Sequence, residues 1–464
     1  MSDLGRYGIP SFVPVKPTFS LFSIQSMKTF LLTASLFAAS LTLSAQDNRA
    51  INRQTGNNNQ QNFTQDGSQN NLLNEQAGDR NQTTYRQTGN QNQQTSIQTG
   101  NDNLARNRQN GNTNSAIFQQ TGNQNSVSDV SLQFPEQSFT SFNFSFQSGT
   151  NNQATVTQNG EENKASFGQN GNQNQLTTTQ NGTDNRFFVQ QFRDNNSVDI
   201  DQDGVENQAL LWQSGNRNQA TITQAGDNNS VYTVSTELIN QQGNDNLLDI
   251  LQEGNDNQLM FLQKGDDNQL YIEQSGDNNR QTSTQIGNDN FARNRQGGNG
   301  NQATFTQTGN GNRIDDIPGF SGGAYFQAGT GNVKNVTQTG NDNTSAVAQA
   351  GEANTLTVNQ TGNANLLYLG QAGNTNQAAM TQKGNGNDIR TGQNGNGNRM
   401  TVKQEGDENT LTFEGVVVVE GFGGNAVGQL GDNNVYELTQ TGNGNFAQFS
   451  QVGNNNSIIG TQMP

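Results

Sequence analysis

One spacing governs the chain. The pattern Gln-x-Gly-x-x-Asn begins at Gln54, Gly56 and Asn59, and its glutamine returns every eleven residues at Gln65, Gln76, Gln87, Gln98, Gln109 and Gln120. It resumes from Gln147 to Gln224, from Gln241 to Gln307, from Gln327 to Gln404 and from Gln429 to Gln451, with one degenerate copy at Gln191, where Arg193 stands in place of glycine. That makes 32 complete copies, and Gln462 keeps the phase two residues from the end. A low-complexity tract shares a composition but has no reason to hold a phase, so the repeat takes precedence over any local reading.

With glutamine as position one, glycine is three and asparagine six. Positions eight and ten are apolar: Ala154 and Val156, Ala165 and Phe167, Ala220 and Ile222, Leu259 and Phe261, Ala303 and Phe305. Asparagine, the two apolar residues and the next glutamine alternate, so a strand from position six to the next glutamine puts all four on one face. A helix would scatter them. Positions two to five read as a tight turn, in which glycine supplies positive φ and neighbouring Asn and Asp tolerate left-handed backbone.

Two units make a 22-residue rung of strand, turn, strand, turn, and one rung cannot bury its inner face alone. The expected fold is therefore all-β: a β-solenoid of stacked rungs, amyloid-like and cross-β. Counting the degenerate and final partial copies, 34 units give 17 rungs, a stack on the order of 80 Å at the strand spacing. The inward ladder residues are expected to be Gln147, Gly149 and Asn152, Gln158, Gly160 and Asn163, Gln213, Gly215 and Asn218, Gln263, Gly265 and Asn268, and Gln307, Gly309 and Asn312, their amides satisfying one another along the axis.

The repeat changes what the composition means. The 464 residues hold 28% hydrophobic residues, 53 glycines and a net charge of -16, with a mean hydropathy of -0.88, which by itself suggests disorder. With no histidine and no cysteine, Ser-His and Cys-His nucleophiles, imidazole or thiolate metal sites and disulfides are excluded. No cofactor and no enzymatic activity are expected. The negative charge argues against nucleic acid and anionic membrane as partners.

Residues 27–45, MKTFLLTASLFAASLTLSA, have the positive start, short apolar run and small terminal residue of a secretory signal peptide, with cleavage expected after Ala45. The apolar run is shorter than a membrane-spanning helix needs, so no span is expected in the mature chain. Residues 1–26 read as a leader from an upstream start codon, and residues 46–53 as a short segment before the array at 54–464.

Four inserts break the array, near 126–146, 230–240, 313–326 and 410–428, in units 7, 15, 22 and 30. This near-regularity suggests duplication of a larger block, with the first two inserts on one sheet and the last two on the other. Their aromatic and glycine-rich content is read as covering their own sheet, against the alternative of lateral or matrix contacts. Aspartates in the turns are read as solvated, since calcium-binding repeats use a nine-residue period with a fixed aspartate. Outward threonine pairs such as Thr155 with Thr157, Thr221 with Thr223 and Thr304 with Thr306 are read as strand propensity that does not recur on one side. Trp212, at position eleven, is expected to face outward, and no pocket is implied.

The unit Gln147, Gly149, Asn152, Ala154 and Gln158 resembles the curlin repeat of the curli amyloid subunits, over nearly all of the array. The resemblance implies a secreted subunit that polymerises into extracellular fibres of the biofilm matrix of a Gram-negative bacterium. It further implies an outer-membrane secretion pore and a nucleator subunit as partners. Familiar curlins have about five rungs, against 17 here. The stack ends show no capping element, which is expected to favour end-to-end addition. The competing reading is a monomeric solenoid adhesin or ice-binding protein, which a regular outward threonine array would favour.

Overall fold

The computed structural model describes residues 47–128, 130–134, 137–142, 145–233, 240–315, 327–413 and 428–463. The leader, the signal segment and most of the four inserts lie outside the described residues. Within them the chain is strand and turn throughout.

Successive strands alternate between two parallel sheets, called sheet 1 (with Arg49–Thr55) and sheet 2 (with Gln60–Asp66). Each strand pairs with the one a full rung away, as in Gln153↔Gln175 through Gln158↔Gln180. The result is a β-solenoid of about 17 turns of roughly 22 residues. Typical strands, such as Gln208–Ser214 and Gln219–Ala225, run from position seven to position two. The strand therefore starts one residue later than its sequence pattern suggests. The asparagine at six belongs to the turn, because its backbone N–H is taken by another asparagine side chain rather than by a strand carbonyl.

Neighbouring rungs satisfy the donors of a typical turn, as at Gly265. Gly265 N–H donates to Gln242 O (2.8 Å) and Asp267 N–H to Asn244 O (3.0 Å), both one rung back. Asp266 N–H donates to Asn288 Oδ1 one rung on (2.8 Å), and Asn268 N–H to Asn246 Oδ1 one rung back (3.1 Å). The turn is thus as fully paired as the strands. This stacking explains why position five holds left-handed φ values of 57°, 54° and 58° at Glu162, Ala353 and Thr375, residues with little preference for that region.

Close stacking also gives the position-three glycine a second role that the turn reading misses. Gly265 has φ 121°, and a Cβ there would lie 2.0 Å from the carbonyl oxygen of Gly287 in the next rung. The requirement is as much rung against rung as dihedral. Where Arg193 replaces glycine, φ is 72° and the stack opens: Gly215 N–H reaches Phe192 O only at 3.3 Å, against 2.8 Å at Gly265.

The expected inner residues Ala154, Val156, Ala165, Phe167, Ala220, Ile222, Leu259, Phe261, Ala303 and Phe305 are all buried in one continuous core. The interior is not uniformly apolar, however. Asn74 donates to Thr83 (2.7 Å) and Asn107 to Gln94 (2.7 Å), and Gln281, Ser283 and Asn294 form a further buried polar group. Lys334 occupies an inner position eight at 1% exposure, its ammonium 5.3 Å from the Phe305 ring centroid.

Inserts leave from within strands rather than from turns. The first two interrupt sheet 2, between Ser126–Val127 and Ser145–Thr150 and between Ser230–Thr233 and Gln241–Gln242. The last two interrupt sheet 1, between Arg313–Asp315 and Gln327–Thr330 and between Thr410–Phe413 and Gln429–Leu430. In the first, the backbone of Val130–Phe134 pairs antiparallel with Gln137–Phe142 and lies against the strands Lys164–Asn170 and Arg186–Phe192. On the outer side of sheet 2, Phe188, Leu210 and Tyr232 are buried although they point outward. Trp212 faces outward as expected but is half-buried, stacked on Phe192 with ring centroids 5.5 Å apart.

Outward threonine pairs gather on one side of the solenoid, contrary to the expectation from sequence. Thr155 and Thr157 stand directly beside Thr177 and Thr179 on sheet 1, and Thr221 and Thr223 follow two rungs on, after Asp199 and Asp201. Pairs do recur on one side, with an acidic rung between them.

Gly265→Ala is expected to destabilise the stack by more than the roughly 1–3 kcal/mol of a strained backbone position, because the methyl also meets the next rung. Gly300→Asn, at φ 66° with nothing within 4 Å, is expected to be tolerated, and Arg193→Gly to raise the melting temperature. Thermal unfolding followed by circular dichroism compares the three.

Candidate functional site

The candidate site is the set of side-chain ladders running along the axis. Each glutamine at position one donates Nε2–H to Oε1 of the glutamine one rung on: Gln147 to Gln169 (2.8 Å), Gln158 to Gln180 (2.8 Å), Gln213 to Gln241 (2.8 Å), Gln263 to Gln285 (2.9 Å) and Gln307 to Gln338 (2.9 Å). The last pairing crosses the third insert. Its partner across the first, Gln109 to Gln147, is 2.8 Å. Inserts therefore lengthen the chain without breaking the ladder.

The asparagine ladder runs the opposite way. Asn152, Asn163, Asn218, Asn268 and Asn312 each donate Nδ2–H to Oδ1 of the asparagine one rung back, Asn114, Asn125, Asn196, Asn246 and Asn290, at 3.1–3.2 Å. Each Nδ2 also reaches the carbonyl of the position-three glycine one rung on, as Asn152 does to Gly171 O at 2.7 Å. Gly149, Gly160, Gly215 and Gly309 hold φ of 113°, 114°, 136° and 114°, with the next rung's backbone against them. All ten ladder amides named from the sequence are fully buried.

Each of these ladder Gln and Asn side chains thus finds both donor and acceptor partners within the stack, which removes most of the cost of burying an amide. Because the two ladders have fixed and opposite senses, every rung presents glutamine Nε2–H and asparagine Oδ1 on one side and their complements on the other.

A third ladder went unread in the sequence. Position four, taken for solvated turn, carries Asn or Asp whose Oδ1 accepts the backbone N–H of position four one rung back: Asn57 to Asp79 (2.7 Å), Asp79 to Asn101 (2.9 Å) and Asn101 to Asn123 (3.0 Å). The signal was the dominance of Asn and Asp at that position, the two side chains that reach a backbone donor beside them.

Electrostatics concentrate at position five. Asp245, Asp267 and Asp289 follow one another on successive rungs, and the Asp267 carboxyl is held above the ordinary carboxylate range by partial desolvation and then by Asp245, Asp289 and Asp266. At the head of this column Arg217 binds Asp245 (2.6 Å) and holds that carboxyl below the usual range. An open cleft of about 390 Å³ lies among Arg108, Asn110, Phe146, Gln147, Ser148 and Asn170, although the sequence implied no pocket.

Gln213→Lys is expected to cost about 3–5 kcal/mol, the scale of an unpaired buried charge. Gln219→Lys, at an exposed position on the following strand, is expected to leave denaturant stability unchanged. For Asp267 the raised folded-state pKa means that its charged form opposes folding: the stack gains stability as pH falls through that pKa and loses it as pH rises. Asp267→Asn is therefore expected to raise the denaturation midpoint at pH 7, and to raise it less at acidic pH, as the stacked carboxyl takes up its proton. Equal gains at both pH values would contradict the column.

Residues 149–182, 194–226 and 243–276 match the Curlin associated repeat. Two of these stretches begin and end on a position-three glycine, and the other begins just after Arg193, the unit where that glycine is lost. No curated protein matches the chain. The matched stretches share the period, the ladders and the glycine contacts of the rest of the array, and in these three stretches the chain carries the Curlin associated repeat.

Proposed function

We propose that this chain is a secreted structural subunit that adds end to end into extracellular curli-like amyloid fibres supporting biofilm matrix and adhesion. The carrying observation is the directional ladder: each rung's two sides are complementary, so the last rung of one stack fits the first rung of another by the same hydrogen bonds that join rungs within it. The final described strand, Ser457–Gln462, fits the reading. Gln462 accepts from Gln440 (2.8 Å), and Ile458 and Ile459 are exposed. Apolar surface and unpaired strand edge together form a template for another copy.

Growth is then templated strand addition, with the entropy lost on ordering offset by complete backbone pairing, amide ladders and a dry seam. Export follows the signal peptide at 27–45 and an outer-membrane pore of a Gram-negative cell, and a nucleator subunit starts the fibre. A chain without cysteine crosses such a pore unfolded with no disulfide to oppose it. The threonine face that would favour an ice-binding monomer is interrupted by Asp199 and Asp201.

Residues 46–464, diluted from denaturant, are expected to give thioflavin fluorescence that seeds accelerate, and fibres with reflections near 4.7 and 10 Å. A folded monomer that stays soluble and gives neither would overturn the proposal.

A further inference from the structure

The array contains a longer internal repeat whose two copies differ in one respect. Leu104–Gln109 reads LARNRQ and Phe291–Gln296 reads FARNRQ, fifteen units apart, the same separation that relates the first insert to the third and the second to the fourth. Fifteen is odd, so the copies lie on opposite sheets: Leu104–Asn112 is in sheet 2 and Phe291–Gly297 in sheet 1. Both keep the same buried pairing, Asn107 with Gln94 and Asn294 with Gln281.

On the outer face they diverge. In the second copy the arginines are neutralised within the chain: Arg295 binds Glu273 one rung back (3.1 Å), and Arg293 lies 3.6 Å from Asp315 one rung on. In the first copy the place of Glu273 is taken by Arg86, directly beside Arg108. Arg86 and Arg108 are both exposed, and the cleft over Phe146 begins one rung beyond. Like charges at one strand spacing repel unless an anion lies across them.

The other face of the solenoid carries the complement. Asp199, Asp201 and Asp203 stand exposed on the sheet 1 strand Ser197–Val205. Asp201 occupies outward position eleven, the position that Arg86 and Arg108 hold on sheet 2, with Asp199 and Asp203 two residues, or roughly 6.6 Å, to either side along the strand. Thr177 with Thr179 and Thr221 with Thr223 flank the acidic rung, which gives it small, flat neighbours. The two patches lie on opposite outer faces and cannot meet within one stack.

We propose that the Arg86–Arg108 patch of one copy docks laterally on the Asp199–Asp201–Asp203 rung of a second copy, with threonine side chains of the partner entering the cleft over Phe146. The contact is heterologous, so it propagates sideways and bundles stacks. In a chain of net charge -16, general repulsion opposes lateral approach elsewhere, and the matched patches fix where it occurs. This goes beyond the fibre reading but needs only the folded solenoid.

The test uses two charge-reversed variants of the mature chain, Arg86→Glu with Arg108→Glu and Asp199→Lys with Asp201→Lys. Each is expected to elongate at the wild-type thioflavin rate and to give single, unbundled fibres by electron microscopy, whereas a mixture of the two preformed fibre types bundles again. Wild-type bundles are expected to dissociate in about 1 M salt, where the Debye length is about 3 Å. Bundling by either variant alone, or a mixture that stays dispersed, would overturn the proposal. So would wild-type bundling that requires added polygalacturonate, which would identify an anionic polymer as the occupant. If no fibres form, the fibre reading fails, and sedimentation of the soluble solenoid at low salt still decides the contact: self-association lost in each variant supports it, and a wild-type monomer refutes it.

Discussion

Everything in this structure depends on the fixed axial repeat of hydrogen-bonded strands. Parallel rungs about 4.8 Å apart place each side chain over the one 22 residues away, so a residue's main neighbour is its counterpart in the next rung. For an amide that neighbour is ideal, since Gln and Asn carry both a donor and an acceptor. For a carboxylate or an ammonium the same geometry brings like charges together, as at Asp245, Asp267 and Asp289. The chain resolves this by confining charge to turns and outer faces, with Lys334 a buried exception.

The same constraint explains how a chain of mean hydropathy -0.88 folds. An ordinary domain stabilises itself by withdrawing apolar area from water, and this one has little to withdraw. Its interior is a narrow seam of two inward side chains per strand, bounded by amides that are buried without being desolvated in any costly sense. Each new rung also pairs the turn donors of the last, so loops that would normally face water become part of the ladder. Cooperative hydrogen bonding along such chains adds to the effect.

The architecture was legible because period eleven and strand alternation are both visible in one dimension. Gln147, Asn152, Val156 and their equivalents are placed on the inner face by the sequence alone. What was not legible depends on distances between rungs. The glycine at position three looks like a turn residue in sequence, and only the 2.0 Å approach of the Gly287 oxygen to a Cβ at Gly265 shows the other constraint. Position four looked solvated because Asn and Asp are ordinary turn residues, and its ladder appears only once the turns stack. The burial of Phe188 on an outward face likewise goes with a strand of the first insert, Val130–Phe134, lying against Arg186–Phe192, which no periodicity encodes.

A ladder of identical amides has one weakness, which is that it satisfies every register equally. Sliding one strand stack by a whole rung preserves each Gln–Gln and Asn–Asn bond, so the ladders that stabilise the fold cannot by themselves select its alignment. The buried polar pairs break this degeneracy. Asn107 meets Gln94 in register. Displaced by one rung, it faces the level of Leu72 or of Ala116, which flank Gln94 in sheet 1, and its amide goes unpaired at a cost of about 1–3 kcal/mol. Asn294 with Gln281 imposes the same penalty fifteen units later. Polar residues that look like flaws in an apolar seam thus supply what the repeat lacks, a reason for each rung to prefer its own neighbours.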